Sequence, residues 1–168
     1  MPCYCPRCGK QSLNFDAEKA FNCTQCEFSY FHNVAAAGAA LIEVDSELLL
    51  IRRARDPGKG LLGLPGGFVD PFESAEQALQ REIHEEIGID VAPASFEYFG
   101  SWANRYLYRN IQYHTQDSYF RVRLAERPIL HLQPDEVSEV VWCTKAQLDI
   151  EQLAFCSARD ALARWLSE

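Results

Sequence analysis

The sequence predicts an α/β domain preceded by a small cysteine-rich unit. Three observations carry that expectation. Residues 75–87 have the caps and the spacing of one amphipathic helix. Apolar runs on both sides of it read as strands. Two Cys-x-x-Cys pairs, Cys5/Cys8 and Cys23/Cys26, stand near the start with fourteen residues between them.

Residues 1–33 form the first unit. An odd total of seven cysteines does not suggest a disulfide framework, whereas paired Cys-x-x-Cys spacing is that of a structural metal site. Cys5-Pro-Arg-Cys8-Gly9 reads as one knuckle and Cys23-Thr-Gln-Cys26 as the other. The pair resembles a zinc ribbon, in which Cys5, Cys8, Cys23 and Cys26 would hold one Zn²⁺. A unit this short cannot be held by an apolar core alone, so the metal is a physical need. Cys3 is an alternative to Cys5 with poorer spacing, and His32 is a weaker ligand candidate. Arg7, Lys10 and Lys19 balance Asp16, Glu18 and Glu27, so the unit has no basic stripe, which argues against nucleic-acid binding.

The second unit spans residues 34–168. Val34 to Val44 is a small-residue apolar run, and Leu48 to Arg53 a second one across a short polar turn, so the two are expected to form a hairpin. Arg52, Arg53, Arg55 and Lys59 make a basic cluster, with Arg53 as the candidate phosphate holder through paired hydrogen bonds. The Asp56–Gly60 stretch reads as a loop, and Leu64-Pro-Gly-Gly67 leads into the helix. Ser74 is the expected N-cap, Gln77 completes a capping box, and Gly88 is the left-handed stop. Ala75, Leu79, Ile83 and Ile87 form the core-facing stripe, while Glu82, Glu85 and Glu86 share another face. Acids gathered beside a Gly-Gly turn suit a hard divalent cation.

Beyond the helix, a strand is expected around Phe96–Phe99. Residues 101–114 are rich in aromatics; in a loop near the site Trp102 and Tyr106 could stack on a nucleobase, and in a strand the same rings would pack against neighbours. Residues 118–124 alternate as a half-buried strand. Residues 128–134 read as a linker, followed by an acidic start and a strand to Trp142. A short helix is expected from Thr144, and a last one capped by Ser157 with Ala158, Ala161, Leu162 and Trp165 on one face.

Gly67, Glu73, Arg81, Glu82, Ile83, Glu85, Glu86, Gly88 and Ile89 fill every defined position of the pattern Gly-x5-Glu-x7-Arg-Glu-U-x-Glu-Glu-x-Gly-U, where U is aliphatic. The stretch resembles the Nudix box. The resemblance implies an α/β/α sandwich around a mixed sheet and a hydrolase cleaving a nucleoside diphosphate linked to another moiety, with Mg²⁺ or Mn²⁺. It implies Glu82, Glu85 and Glu86 as metal ligands, Glu82 also as base or water-orienter, and Glu73 and Arg81 as partners that fix the carboxylates. It further implies the Gly66 carbonyl and a downstream acid, Glu136 or Glu139, as site ligands.

With the cysteine pairs in front, the arrangement is similar to the zinc-ribbon Nudix group that includes NADH pyrophosphatases. The chain lacks that group's downstream Ser-Gln-Pro-Trp-Pro-Phe-Pro tag. Tyr106 matches a mark of dinucleoside polyphosphate hydrolases, and FAD and ADP-ribose are further substrate classes. The competing class is a nucleotide sensor with the ribbon as its partner-binding arm, but sensors usually lose box carboxylates and this chain keeps all of them.

A net charge of −8 would repel both nucleic acid and a phosphate substrate unless cations neutralise the site. No run of eighteen apolar residues exists, and the first residues lack a signal-peptide pattern, so a cytoplasmic, membrane-free protein is expected. Relatives in the family also make a homodimer an expectation.

Overall fold

The computed structural model describes residues 3–168, and the chain divides into two compact units between Val34 and Ala35. In the first, strands β1 (Leu13–Phe15), β2 (Ala20–Cys23) and β3 (Ser29–Phe31) make an antiparallel sheet in that order. Its buried apolar residues are Cys5, Ala20 and Cys23, while Phe15, Tyr30 and Phe31 are exposed. The unit therefore has no apolar core of its own size, as its length dictates.

The second unit is built on a seven-stranded mixed sheet among the described residues. Its strands are β4 (Ala35–Val44), β5 (Glu47–Arg53), β6 (Leu62–Gly63), β7 (Gly66–Phe68), β8 (Glu97–Tyr108), β9 (Ile111–Leu124) and β10 (Val137–Thr144). The main order is β10-β5-β4-β9-β8, with β6 on β5 and β7 on β4. β4 and β9 run parallel, and the other pairs are antiparallel. Helix α1 (Ala75–Ile87) covers one face and helix α2 (Cys156–Ser167) the other.

The alternation of strand residues explains the sandwich. Ala40, Ile42, Leu49, Ile51, Phe120 and Val122 meet Leu79, Ile83 and Ile87 of α1. Leu41, Leu48, Leu50 and Tyr119 meet Ala158, Ala161, Leu162 and Trp165 of α2. Leu48 to Ile51 is apolar at every position because the strand is covered on both sides. The expected sandwich and the expected β4–β5 hairpin are both present, the latter turning at Asp45–Ser46.

Residues 101–114 take the strand alternative: β8 and β9 pair from Glu97↔Arg121 to Tyr108↔Ile111 as one long hairpin. Two local expectations fail. Thr144 caps no helix; it makes a turn in which Gln147 Oε1 accepts from both its N–H (3.0 Å) and its hydroxyl (2.9 Å). Ser157 does not cap α2, whose N-cap is Phe155. Its hydroxyl is fully buried and bonded instead to two β9 side chains described below. No helix among the described residues is long and apolar enough to cross a membrane.

Candidate active site

Two glycines and one capped helix build the site. Ser74 accepts from the Gln77 N–H (3.3 Å) and Gln77 Oε1 from the Ser74 N–H (2.8 Å), closing the expected capping box. Gly88, at φ +74°, ends the helix and donates to the His84 carbonyl. These ends fix the rotation of α1, so its core stripe faces the sheet and Glu82 and Glu86 face β7.

At β7 the backbone passes very close to its neighbours. A Cβ on Gly66, which sits at φ +143°, would fall 2.2 Å from the Gly38 carbonyl oxygen. A Cβ on Gly67 would fall 2.4 Å from the Glu82 carboxyl carbon. At Gly66 the obstacle is backbone and only glycine fits; at Gly67 a side chain would push the Glu82 carboxylate from its place. The Gly66 N–H donates to Glu86 Oε2 at 2.9 Å.

Arg81 organises the acids. Its Nε and Nη2 grip Glu73 (2.9 and 3.1 Å), its Nη1 reaches Glu82 (2.8 Å) and Glu85 (3.4 Å), and its Nη2 also donates to the Phe68 carbonyl (3.2 Å). The Arg81 hydrogen bonds hold the Glu73 carboxyl below the usual range, and those to Glu73 above all push the guanidinium up. This fork, at the edge of the cavity, holds Glu82 in place.

The acids open on a cavity of about 280 Å³. Glu82, Glu86, Gly66 and Gly67 line one part of it, with Glu136, Arg53 and Arg55 beside them. Asn104, Thr115 and Asp117 line another, and Phe68, Tyr106 and Phe155 supply rings. Arg55 Nη2 pairs with Glu136 Oε2 at 2.7 Å. Arg53 lies 4.9 Å over the Phe155 ring, and its Nε donates to the Pro57 carbonyl (2.7 Å). Tyr106 meets Phe68 edge-on at 5.3 Å and Phe155 at 5.6 Å.

Of the residues singled out by sequence, the structure thus gathers Gly66, Arg53, Arg81, Glu82, Glu86, Glu136 and Tyr106 around one cavity, with Glu73 behind Arg81. Glu85 is apart: its side chain is 56% exposed and lies on the outer edge of α1. Glu139 is also outside, paired with Arg52 at 2.7 Å. Of its two expected roles Trp102 has the packing one. It belongs to a strand, meets Tyr119 edge-on at 5.4 Å and Phe99 at 6.1 Å, and does not line the cavity.

Sequence reasoning missed Asn104, Thr115, Asp117, Phe68 and Phe155. The alternation from residue 118 gave no signal for Thr115 and Asp117: its apolar phase is Phe120, Val122 and Leu124, and the two fall in the phase of Arg121 and Arg123, yet both are buried in β9.

The electrostatics of the acids are those of shielded, mutually repelling carboxylates. Burial pushes the Glu86 carboxyl from 4.5 up to about 8, with the nearby Glu82 and Glu136 charges adding to it. Burial also raises Glu82, against the pull of Arg81. Hard anionic oxygens that repel one another in a shielded cavity fit a divalent cation well. A pH dependence follows. An ionised Glu86 is needed to hold a cation, so below about pH 8 binding displaces a proton. The apparent affinity for Mn²⁺ is expected to rise about tenfold per pH unit between pH 6 and 8 and to level off above. Without cation the sign reverses for stability: a raised carboxyl stabilises at low pH, and that contribution is lost as pH rises through about 8. Calorimetric titration of Mn²⁺ at several pH values reads the first effect, and Glu86→Gln should flatten it.

The cysteine unit offers a second metal site. The Sγ atoms of Cys5, Cys8, Cys23 and Cys26 all lie within 4.8 Å of one another. Neighbouring pairs are 3.5, 3.6 and 3.8 Å apart. A tetrahedron of sulfurs about 2.3 Å from a central ion has edges of about 3.8 Å, so the four fit one metal ion. Ser12, 3.1 Å from Cys23 Sγ, and the Gln25 N–H hold the Cys23 thiol down at about 6, which favours the thiolate a metal needs. Cys3 and His32 are not in the cluster.

A mixed sheet between two helices, with box acids meeting a glycine turn over a shielded cavity, defines a Nudix-type domain. The NUDIX domain family matches residues 32–166, and the chain belongs to that family. It is 28% identical over 165 residues to the NAD-capped RNA hydrolase NudC of Stutzerimonas stutzeri (strain A1501), covering 98% of this chain and 54% of that protein. Over 98 residues it is 34% identical to the NAD-capped RNA hydrolase NudC of Pseudomonas aeruginosa (strain LESB58), covering 58% of this chain and 34% of that one. The chain spans about half the length of the first of these relatives. Among solved structures, the MutT NUDIX hydrolase of Burkholderia pseudomallei superposes with a TM-score of 0.66 at 28% identity, over 78% of this chain and 97% of that one. A NUDIX hydrolase of Nitrosomonas europaea gives 0.71 at 23% identity over 98% and 90%, a likeness of fold.

Proposed function

We propose that the chain is a divalent-cation-dependent pyrophosphohydrolase that cleaves a nucleoside diphosphate joined to a second moiety. The observation that carries this reading is the meeting of Glu82, Glu86 and Glu136 with Arg53, Arg55 and the Phe68, Tyr106 and Phe155 rings in one cavity. Acids alone would repel a pyrophosphate, and rings alone would bind only its nucleoside. Together with a cation they account for both ends of such a molecule.

Glu82, Glu86, Glu136 and the Gly66 carbonyl would hold Mg²⁺ or Mn²⁺, with Glu85 completing the set from the helix edge. The bound cation supplies neutralisation of the pyrophosphate and a more acidic water. Arg81, itself held by Glu73, keeps Glu82 in place to accept the proton of the attacking water at its free carboxylate oxygen. Burial suits Glu82 for that, because a raised carboxyl is the stronger base. Arg53 and Arg55 offer charge to phosphate oxygens, and Tyr106 offers a ring face or edge to a base. Zn²⁺ in the cysteine cluster is structural in this reading.

The substrate panel follows from the chemistry and the relatives: NADH, NAD⁺, ADP-ribose, FAD, diadenosine polyphosphates and NAD-capped RNA. The neutral charge of the cysteine unit gives no general support to RNA binding, so a capped RNA would be held at its cap. The test is product chromatography after incubation with Mg²⁺ or Mn²⁺. Cleavage of one dinucleotide into two monophosphate-bearing products, abolished by chelator, is expected. Folded, cation-binding protein that cleaves none of the panel would overturn the hydrolase reading.

A further inference from the structure

The wall of the cavity formed by β8, β9 and the start of α2 contains polar side chains that the hydrolytic chemistry does not use. Asn104, Thr115 and Asp117 are only 5%, 3% and 8% exposed, yet each lines the cavity. Register explains their meeting. Asn104 stands directly opposite Thr115, and Asp117 lies two residues along β9 on the same face. Such diagonal neighbours have side chains close enough to touch one ligand edge.

Their hydrogen bonds leave a definite pattern. Burial keeps the Tyr119 phenol protonated, and it donates to Ser157 Oγ at 2.8 Å. Ser157 Oγ donates to Asp117 Oδ2 at 2.6 Å, and Thr115 Oγ1 to Asp117 Oδ1 at 2.6 Å. The Ser157 and Thr115 protons thus point at Asp117, and the Tyr119 proton at Ser157. What remains for a ligand is acceptor capacity on the Asp117 carboxylate. Asn104 is the complement. Its Oδ1 accepts from the Cys156 thiol at 3.2 Å, while its Nδ2 has no partner among the described residues. That amide nitrogen opens on the cavity and is free to donate to whatever fills it.

We infer that Asn104 and Asp117 read the edge of adenine that carries the N1 acceptor beside the 6-amino group. Asn104 Nδ2 donates to the ring nitrogen, and the Asp117 carboxylate accepts from the amine. The carboxylate selects for a donor, because an acceptor placed there would meet an acceptor. Thr115 and Ser157 hold that carboxylate still, so the pair is pre-organised and does not need to be ordered by the ligand. The nearby Tyr106 and Phe155 rings give the base its apolar contact. This inference rests on the reading of the cavity as a nucleotide site, and it names the base that site takes.

Binding tests it without turnover. The full chain is titrated with AMP and with purine riboside 5′-monophosphate, which is AMP without its 6-amino group, in the presence of Mg²⁺. AMP is expected to bind at least about tenfold more tightly, the size of one well-placed base-edge contact. In Asn104→Leu, which keeps side-chain volume and removes the donor, AMP binding is expected to weaken by about tenfold or more. Equal affinity of the wild type for the two nucleotides overturns the inference, and that comparison needs no variant to fold. No AMP binding, or AMP binding unchanged in a folded Asn104→Leu, overturns it as well. A preference for AMP in a chain that cleaves none of the panel would leave the subsite standing and the hydrolase reading lost. Cleavage without any preference would do the reverse.

Discussion

In a Glu86→Gln variant, hydrolysis of the preferred dinucleotide is expected to fall about a thousandfold or more while the protein becomes no less stable. The two halves of that result come from the same geometry. Glu86 is 5% exposed, and its carboxyl is pushed up to about 8 by burial and by its acidic neighbours. Ionising it in the empty site is therefore unfavourable, and a neutral amide removes that cost. The glutamine Oε1 can still accept from the Gly66 N–H, which lies 2.9 Å from the present carboxylate oxygen. So the glycine turn keeps its anchor, and thermal unfolding at pH 8 should occur at the same temperature or a few degrees higher. Activity depends on the charge that stability tolerates poorly. Loss of an anionic cation ligand is worth several kcal/mol in the transition state, and about 4 kcal/mol is a thousandfold in rate. Glu85→Gln is the informative companion, because Glu85 is mostly exposed and outside the cavity wall. A smaller loss there than in Glu86→Gln would follow its position. Wild-type turnover in Glu86→Gln would remove the acids from the chemistry.

Much of this arrangement is legible in the chain because it is local. The capping box at Ser74 and Gln77, the stripe of Leu79, Ile83 and Ile87, and the glycine stop act within one helix, so spacing alone reveals them. The run Leu48–Ile51 reveals a strand covered on both faces for the same reason. What escapes reading is set by contacts distant in sequence. Residues 101–106 do alternate, with Trp102, Asn104 and Tyr106 on the covered face, but that face mixes rings with a polar amide, and residues 107–114 are open on both faces, so no clean apolar period of two is visible in the sequence. The hairpin's turn is Arg109–Asn110, both at positive φ, where the usual marker would be a glycine. Ser157 looks like a cap because serine is a good one. It turns instead to Asp117, forty residues away, where its hydroxyl donates to a buried carboxylate, whereas a cap would use its oxygen as an acceptor. Asn104 and Asp117 gain their meaning only from the β8–β9 register, which no local pattern announces.

Removal of the metal from the cysteine cluster is expected to unfold the first unit outright. The reason lies in what that unit lacks. Its buried apolar residues are Cys5, Ala20 and Cys23, and two of these are ligand candidates. Its larger side chains, Phe15, Tyr30 and Phe31, are about half exposed, and Phe15 stacks on Phe21 across the sheet without enclosing a core. Burial of that size cannot offset the ordering of some thirty residues, at about 1–2 kcal/mol each for the backbone. A structural Zn²⁺ contributes about 10–16 kcal/mol in units of similar size, enough to decide the balance. Purified protein should therefore contain one equivalent of zinc, and Cys23→Ser should lose it. The same substitution should abolish amide protection over β1 to β3. Hydrogen exchange read by mass spectrometry separates this from a general loss of structure, because it follows each strand. Protected amides in a zinc-free Cys23→Ser protein would mean that the four thiols hold the unit by packing alone, at Sγ spacings of 3.5–3.8 Å that then have no ion to explain them.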